Sequence, residues 1–216
     1  MSADARYVPA AGRAAFTRMY DPVVSLTMRE RRFRGLLQAQ VLGALPAGGG
    51  VVDVGCGTGS FAITLAAAHP DGVVIGVDGD AEVLAAARRK PGSKRVDWRP
   101  GLAGHLPVDD ASADAVVMSL LLHHLDGDAK RAALEEGRRV LRSGGRLHIA
   151  DWGRPADPLM SAAFFALRLL DGFDTTRDHA DGRVPEFIDM AGFVGVEIRV
   201  RLRTAWGSLE LLTARA

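Results

Sequence analysis

Two periodicities alternate along this chain. Short apolar runs rich in β-branched residues read as strands buried on both faces. Between them lie longer stretches whose apolar positions recur every three or four residues, the mark of amphipathic helices. Val51-Val52-Asp53-Val54 and Val73-Val74-Ile75-Gly76-Val77 are the first two such strands. Val96–Ala103 holds a third strand and its loop, a fourth ends at Ser119, and Arg146–Asp151 is a fifth. The first predicted helix runs from Pro22 to Leu45, with Leu26, Phe33, Leu37 and Val41 on one stripe and Leu36 beside it. Others are predicted over Phe61–Ala68, from Asp80 to Lys90, from an Asp128 cap to Arg142, over Pro158–Asp171 and over Val184–Met190. In the helix after Asp128, Ala133, Leu134, Gly137, Val140 and Leu141 face inward, and Glu135 pairs with Arg139 outside. Residues 172–182, polar with a glycine at each end, read as a mobile loop or lid. The period then shortens to two: Val194, Val196, Ile198, Val200 and Leu202 alternate with charged residues, and a turn at 205–208 leads into Leu209–Thr213. That is a strand pair with one wet face added to an otherwise alternating strand–helix chain, so the fold class is α/β with helices on both faces of a mixed sheet.

Composition narrows this only slightly. A chain of 216 residues fits a single globular domain, large enough to bury roughly 70% of its unfolded surface. We divide it into an N-terminal helical cap, 1–45, and a main domain, 46–216. The net charge of +1 gives no electrostatic case for nucleic acid or an anionic membrane. Arg29, Arg31, Arg32 and Arg34 fall mostly off the apolar stripe of the first helix and form either a solvated face or a surface for an acidic partner. One cysteine excludes a disulfide framework and a cysteine-rich zinc site. The start, MSADARYVPA, lacks the apolar core of a signal peptide, and no apolar run is long enough to span a membrane. The expected location is cytoplasmic.

The chemistry is concentrated at Val51–Ser60, VVDVGCGTGS, a strand broken by glycines at alternate positions and followed by a helix. Glycines let a ligand approach the backbone, and the helix start presents unpaired N–H groups. A dinucleotide fingerprint G-x-G-x-x-G would need glycine where Ser60 stands, and no Gly-Lys-Ser/Thr follows to make a P-loop. Asp53 inside the strand would repel a pyrophosphate but suits a ligand with ammonium and sulfonium charge. Asp78 ends the second strand about 20 residues past the turn, where a doubly wound sheet places the acid that binds ribose hydroxyls. Helix capping is the competing role for Asp78, and Asp80 is better placed for it.

These residues resemble motif I of the class I S-adenosylmethionine (SAM)-dependent methyltransferases. Leu106–Ser119, LPVDDASADAVVMS, resembles the family's loop into the fourth strand, and Leu122-His123-His124-Leu125 contains the HHL of small-molecule methyltransferases related to quinone-biosynthesis enzymes. LRSGGRLHIADWG resembles the family's post-helix element, with Ser143 where proline is usual. The resemblance implies a Rossmann-like, doubly wound, seven-stranded mixed sheet with an antiparallel C-terminal strand pair. It implies SAM as cofactor and S-adenosylhomocysteine as product. Asp53, Gly55, Cys56, Gly57, Thr58 and Gly59 would hold its methionine side, Asp78 and Gly79 its ribose, Leu102 and Ala103 its adenine, and Ser119 with Leu120 the methionine side again. Relatives carry an acid in the adenine loop; Leu102 stands there instead.

His124 and His123 are the candidate catalytic residues, since a histidine can take a proton from an acceptor. On an extended segment the two would point opposite ways. No third ligand is spaced to help them hold a metal, so none is expected. His105 is a weaker pocket candidate, and Asp151 with Trp152 either contacts substrate or braces the loop. The implied function is methyl transfer to a small-molecule acceptor, by a monomer or homodimer that binds no nucleic acid and has no membrane span. A SAM-binding protein without turnover and a NAD(P)-dependent oxidoreductase are the alternatives.

Overall fold

The computed structural model describes residues 29–216. Its strands are β1 (Gly50–Val54), β2 (Val73–Asp78), β3 (Val96–Pro100), β4 (Ala113–Ser119), β5 (Leu141–Trp152), β6 (Val194–Thr204) and β7 (Gly207–Arg215). They form one seven-stranded sheet in the order β3-β2-β1-β4-β5-β7-β6. The first five are parallel, and β7 pairs antiparallel with both β5 and β6. This is the predicted class: Rossmann-like, doubly wound and mixed. Strand order reverses between β1 and β4, which opens a crevice at their carboxyl ends.

The helices are α1 (Glu30–Leu42), α2 (Ser60–Ala68), α3 (Ala81–Arg89), α4 (Gly127–Val140), α5 (Pro158–Asp171), α6 (Phe173–Ala180) and α7 (Val184–Met190). Alternate residues of the central strands feed two cores. Val52, Val54, Val116, Met118, Leu147 and Ile149 pack on one face with Ala133 and Leu134 of α4 and Phe187 and Ile188 of α7. Val51, Val117, Ala150 and Trp152 pack on the other with Phe33, Leu37 and Val41 of α1, Phe61 and Leu65 of α2, and Phe164 of α5. A strand covered on both faces has no polar alternation, which is why β1 and β4 are mostly apolar, with Asp53 and Asp114 as the charged exceptions.

Several predicted boundaries change. Of the predicted helix Pro22–Leu45, the part described is Glu30–Leu42; Pro22 and Leu26 lie outside the described residues, and Leu36 lies at the exposed edge. The α4 cap is Asp126, whose Oδ1 accepts from Ala129 N at 2.9 Å, and the helix stops at Val140 because β5 begins at Leu141. Arg139 pairs with Glu136, not Glu135, because it is drawn inward by the carbonyls of Leu106 and Val108. Residues 172–182 are not a loop: α6 occupies Phe173–Ala180 and buries Thr176 and His179 completely, one turn apart on its inner face. No helix among the described residues is long and apolar enough to cross a membrane.

Candidate functional site

Beyond Val54 the chain turns through Gly55 (φ 68°), Gly57 (φ 55°) and Gly59 (φ 73°) into α2. The three glycines answer different demands. A Cβ on Gly55 would meet Leu121 Cδ1 at 2.7 Å, and one on Gly59 would run into the Trp98 ring and Ala87. At Gly57 a Cβ would find nothing within 4 Å. Packing therefore sets the outer two, whereas Gly57 leaves bare backbone beside open space.

Hydrogen bonds fasten this turn to β2. Gly55 N and Cys56 N donate to Val77 O at 2.8 and 3.0 Å, and Gly57 N donates to Asp78 Oδ2 at 2.8 Å. Asp78 Oδ1 accepts from Asp80 N at 2.9 Å, while Asp80 itself caps α3 through Glu82 N and Val83 N. Asp78 is half-buried and a carboxylate has about four acceptor sites, so it can take further donors on its open side. Gly101 N donates to Asp78 O at 3.1 Å, which brings the β3 loop, with half-buried Leu102 and Ala103, to the same edge. Leu102 also bridges to His105, whose side chain lines a surface cleft of about 530 Å³ with Glu136 and Arg139. Lys90 Nζ donates to Thr58 Oγ1 at 2.8 Å and Ser60 Oγ at 2.7 Å, so both hydroxyls accept from the lysine that ends α3. Gly79 is exposed, and Ser119 and Leu120 close the row at the end of β4, with Leu120 at φ 54°. The predicted cofactor residues are thus contiguous along the tips of β1 to β4.

Asp53 is 2% exposed, and its Oδ2 is buried with no hydrogen-bond partner among the described residues. Burial pushes its carboxyl up to about 7; the Arg34 guanidinium opposes this and the Asp78 charge adds to it. Arg34, expected on a solvated face or partner surface, pairs with Glu30 one turn back on α1 at 2.6 Å, its side chain 34% exposed, and its Nε is buried without a hydrogen-bond partner among the described residues. Burial also raises the Cys56 thiol well above its ordinary value, which leaves it a neutral wall of the turn. A nucleoside carrying positive charge fits this end of the crevice. It would supply the partner that the buried carboxylate lacks, and bare backbone at Gly57 leaves room for it.

A second cluster sits at the ends of β4 and β5. His123 and His124 lie in a 3₁₀ turn, Leu122–His124, rather than on an extended segment, and their ring centroids are 3.9 Å apart. The expectation that they diverge is corrected: a 3₁₀ turn rotates successive side chains by about 120°, not 180°. Asp151 braces the turn. Its Oδ2 accepts from Leu122 N at 2.8 Å, and its Oδ1 accepts from His123 Nδ1 at 2.7 Å and from Trp152 N at 2.8 Å. Burial opposes charge on both partners, but each holds the other's charged form: His123 rises above its ordinary value and Asp151 falls below its own. Burial drives His124 down to about 3, with the neighbouring His123 charge adding.

Three residues that periodicity did not single out complete this cluster. Asp171 ends α5, its side chain 9% exposed, with Oδ2 at 3.8 Å from His123 Nε2. His179 Nδ1 donates to Trp152 O at 2.7 Å. Lys130, 1% exposed, donates to Thr175 O at 2.6 Å and Asp178 Oδ2 at 3.1 Å. The spacing of Thr176 and His179 as one helical face was the available signal for α6; nothing in the sequence marks Lys130 as buried.

Residues 51–145 match the family described as a methyltransferase domain. The demethylmenaquinone methyltransferase of Roseiflexus castenholzii is 38% identical over 128 residues, which cover 59% of this chain and 53% of that protein. The arsenite methyltransferase of Halobacterium salinarum is 34% identical over 163 residues, covering 72% of this chain and 40% of that protein. The chain thus spans about half the length, or less, of these relatives. A SAM-dependent methyltransferase from Aquifex aeolicus superposes with a TM-score of 0.67 at 19% identity, covering 98% of this chain and all of that one, and so shares the fold.

Proposed function

We propose that this chain is a class I SAM-dependent methyltransferase and transfers a methyl group from SAM to a small-molecule acceptor. The observation that carries the reading is the crevice at the tips of β1 to β4: a buried, unpartnered Asp53 oxygen, bare backbone at Gly57 and a bidentate carboxylate at Asp78, all along one edge. When bound there, SAM supplies a methyl group made electrophilic by its sulfonium. Asp53 answers the positive charge at the methionine end, together with the backbone of Gly55, Cys56, Gly57, Thr58 and Gly59. Asp78 and Gly79 take the ribose hydroxyls, Leu102 and Ala103 cover the adenine, and Ser119 with Leu120 bounds the methionine side.

The chain's main contribution is position. Holding an acceptor atom in line with a methyl group supplies about 7–11 kcal/mol of a barrier, whereas proton removal adds about 10²–10⁴-fold. His124 and His123 stand beside the acceptor end of the crevice and are the candidates for proton removal. Burial drives His124 down to about 3, which makes it a weak base, so His123, oriented by Asp151, is the stronger of the two candidates.

Calorimetry tests the premise. SAM should bind to the intact chain, and Asp78→Ala should weaken it about 10–100-fold, since each hydrogen bond to a charged group contributes about 1.5–3 kcal/mol. Unchanged affinity in Asp78→Ala removes the ribose assignment. Binding of NADH in preference to SAM removes the function.

A further inference from the structure

The cluster at the ends of β4 and β5 is arranged for more than proton transfer. Ligand atoms of His123, His124 and Asp171 all lie within 4.8 Å of one another. Because Asp151 can only accept, His123 donates from Nδ1 in that 2.7 Å bond, so the neutral ring carries its lone pair on Nε2, the nitrogen on the Asp171 side. The 3.8 Å between Nε2 and Asp171 Oδ2 is too long for a hydrogen bond. Among the described residues neither the Asp171 carboxylate nor the His124 ring takes part in any hydrogen bond. The Asp171 side chain, 9% exposed, faces the His123 ring at ion-pair distance, so its charge is answered only when that ring is protonated; a cation between the two would answer it in either state. The Asp151–His123 pair is the carboxylate–histidine arrangement that fixes the tautomer of metal-ligating imidazoles. His179 adds a further buried nitrogen: Nδ1 is committed to Trp152 O, Nε2 has no partner, and its ring lies 6.2 Å from that of His123.

We propose that His123 Nε2, the His124 ring and the Asp171 carboxylate bind a divalent first-row transition-metal ion. Two imidazoles and one carboxylate suit zinc, iron, cobalt or manganese. Donors at about 2.0–2.2 Å from an ion stand about 3–3.5 Å apart, so the 3.8 Å gap between His123 and Asp171 closes by about 0.5 Å on binding and the widest pair, within 4.8 Å, by at most about 1.5 Å. Asp171 can make that movement, because it is the last residue of α5 and Gly172 follows it at φ 100°. Three protein donors leave open positions on the ion. These would take an oxygen of the acceptor, and this role, unlike the site itself, rests on the methyltransferase reading.

The test uses the full chain, freed of metal by chelator and dialysis, without SAM. Titration with cobalt(II) should saturate at one equivalent with visible d–d absorption, and zinc should displace it. Asp171→Asn and His124→Ala should each weaken cobalt binding more than 10-fold while leaving the circular dichroism spectrum unchanged. Asp151→Asn keeps an acceptor of the same length for His123 but removes the charge, and should cost about 10–100-fold. Absence of saturable binding below millimolar cobalt overturns the site. So does binding that survives both ligand substitutions, since it would then lie elsewhere on the surface. SAM affinity measured on the same samples separates the two readings: cobalt binding without SAM binding ends the methyltransferase function and keeps the metal site, and the reverse result does the opposite.

Discussion

The two ends of the crevice are built on different principles. The β1–β2 end is held by backbone: amides of Gly55, Cys56 and Gly57 donate to Val77 and Asp78, and the glycines fit against Leu121 and Trp98. The β4–β5 end is held by buried side-chain charge, with Asp151, His123, Asp171, His179 and Lys130 drawn from β5, a 3₁₀ turn, α5, α6 and α4. Backbone bonds tolerate many side chains and buried charges tolerate few, so on the proposed reading the first end would hold the cofactor and the second would choose the acceptor.

Substitution should expose this contrast. The largest effect is expected at the charged end. Asp151→Asn leaves the Leu122 and His123 donors facing a neutral amide and should destabilise the fold by about 3–5 kcal/mol in denaturant titrations near pH 7. Since the Asp151 carboxyl lies below its ordinary value when folded, its stabilisation is present above the unfolded pKa of about 4 and is lost as pH falls. The gap between wild type and variant should therefore narrow in acid; a constant gap would mean that Asp151 acts by shape rather than charge.

At the backbone end the effects should split. Gly59→Ala forces a methyl into Trp98 and should cost about 1–3 kcal/mol of stability from overpacking, plus strain at φ 73°. Gly57→Ala meets open space, so only about 1–2 kcal/mol of left-handed strain is expected, while SAM binding falls steeply because the methyl occupies the ligand's approach. Equal losses of stability in the two would erase the distinction between packing glycines and the ligand-facing one.

The smallest predicted effect is a pH slope. Asp53 is protonated below about 7 in the free protein, and a cationic ligand favours its ionised form. SAM affinity should rise as pH increases through that value, and binding below it should release a proton, read as a binding enthalpy that varies with the buffer's heat of ionisation. Asp53→Asn should flatten the slope. A slope that persists in Asp53→Asn would move its origin to another group.

Local chemistry was enough for the first region. Strand runs, the D-x-G-x-G-x-G spacing and the Asp78 offset lie within one strand–turn–helix–strand unit, where bond geometry fixes what can neighbour what, so sequence alone specified the sheet, the crevice and the cofactor-side residues we propose. Tertiary structure alone decided the second region. Asp171 meets His123 across 48 residues, so no spacing rule could supply the third donor judged missing for the histidine pair, and α6 became a helix because Thr176 and His179 found a buried polar wall to join. Which glycine faces a ligand was also a tertiary fact, set by where the Trp98 ring comes to rest. Covalent neighbours constrain one another through dihedral angles, whereas distant charges meet only after the hydrophobic layers have fixed where each element lies.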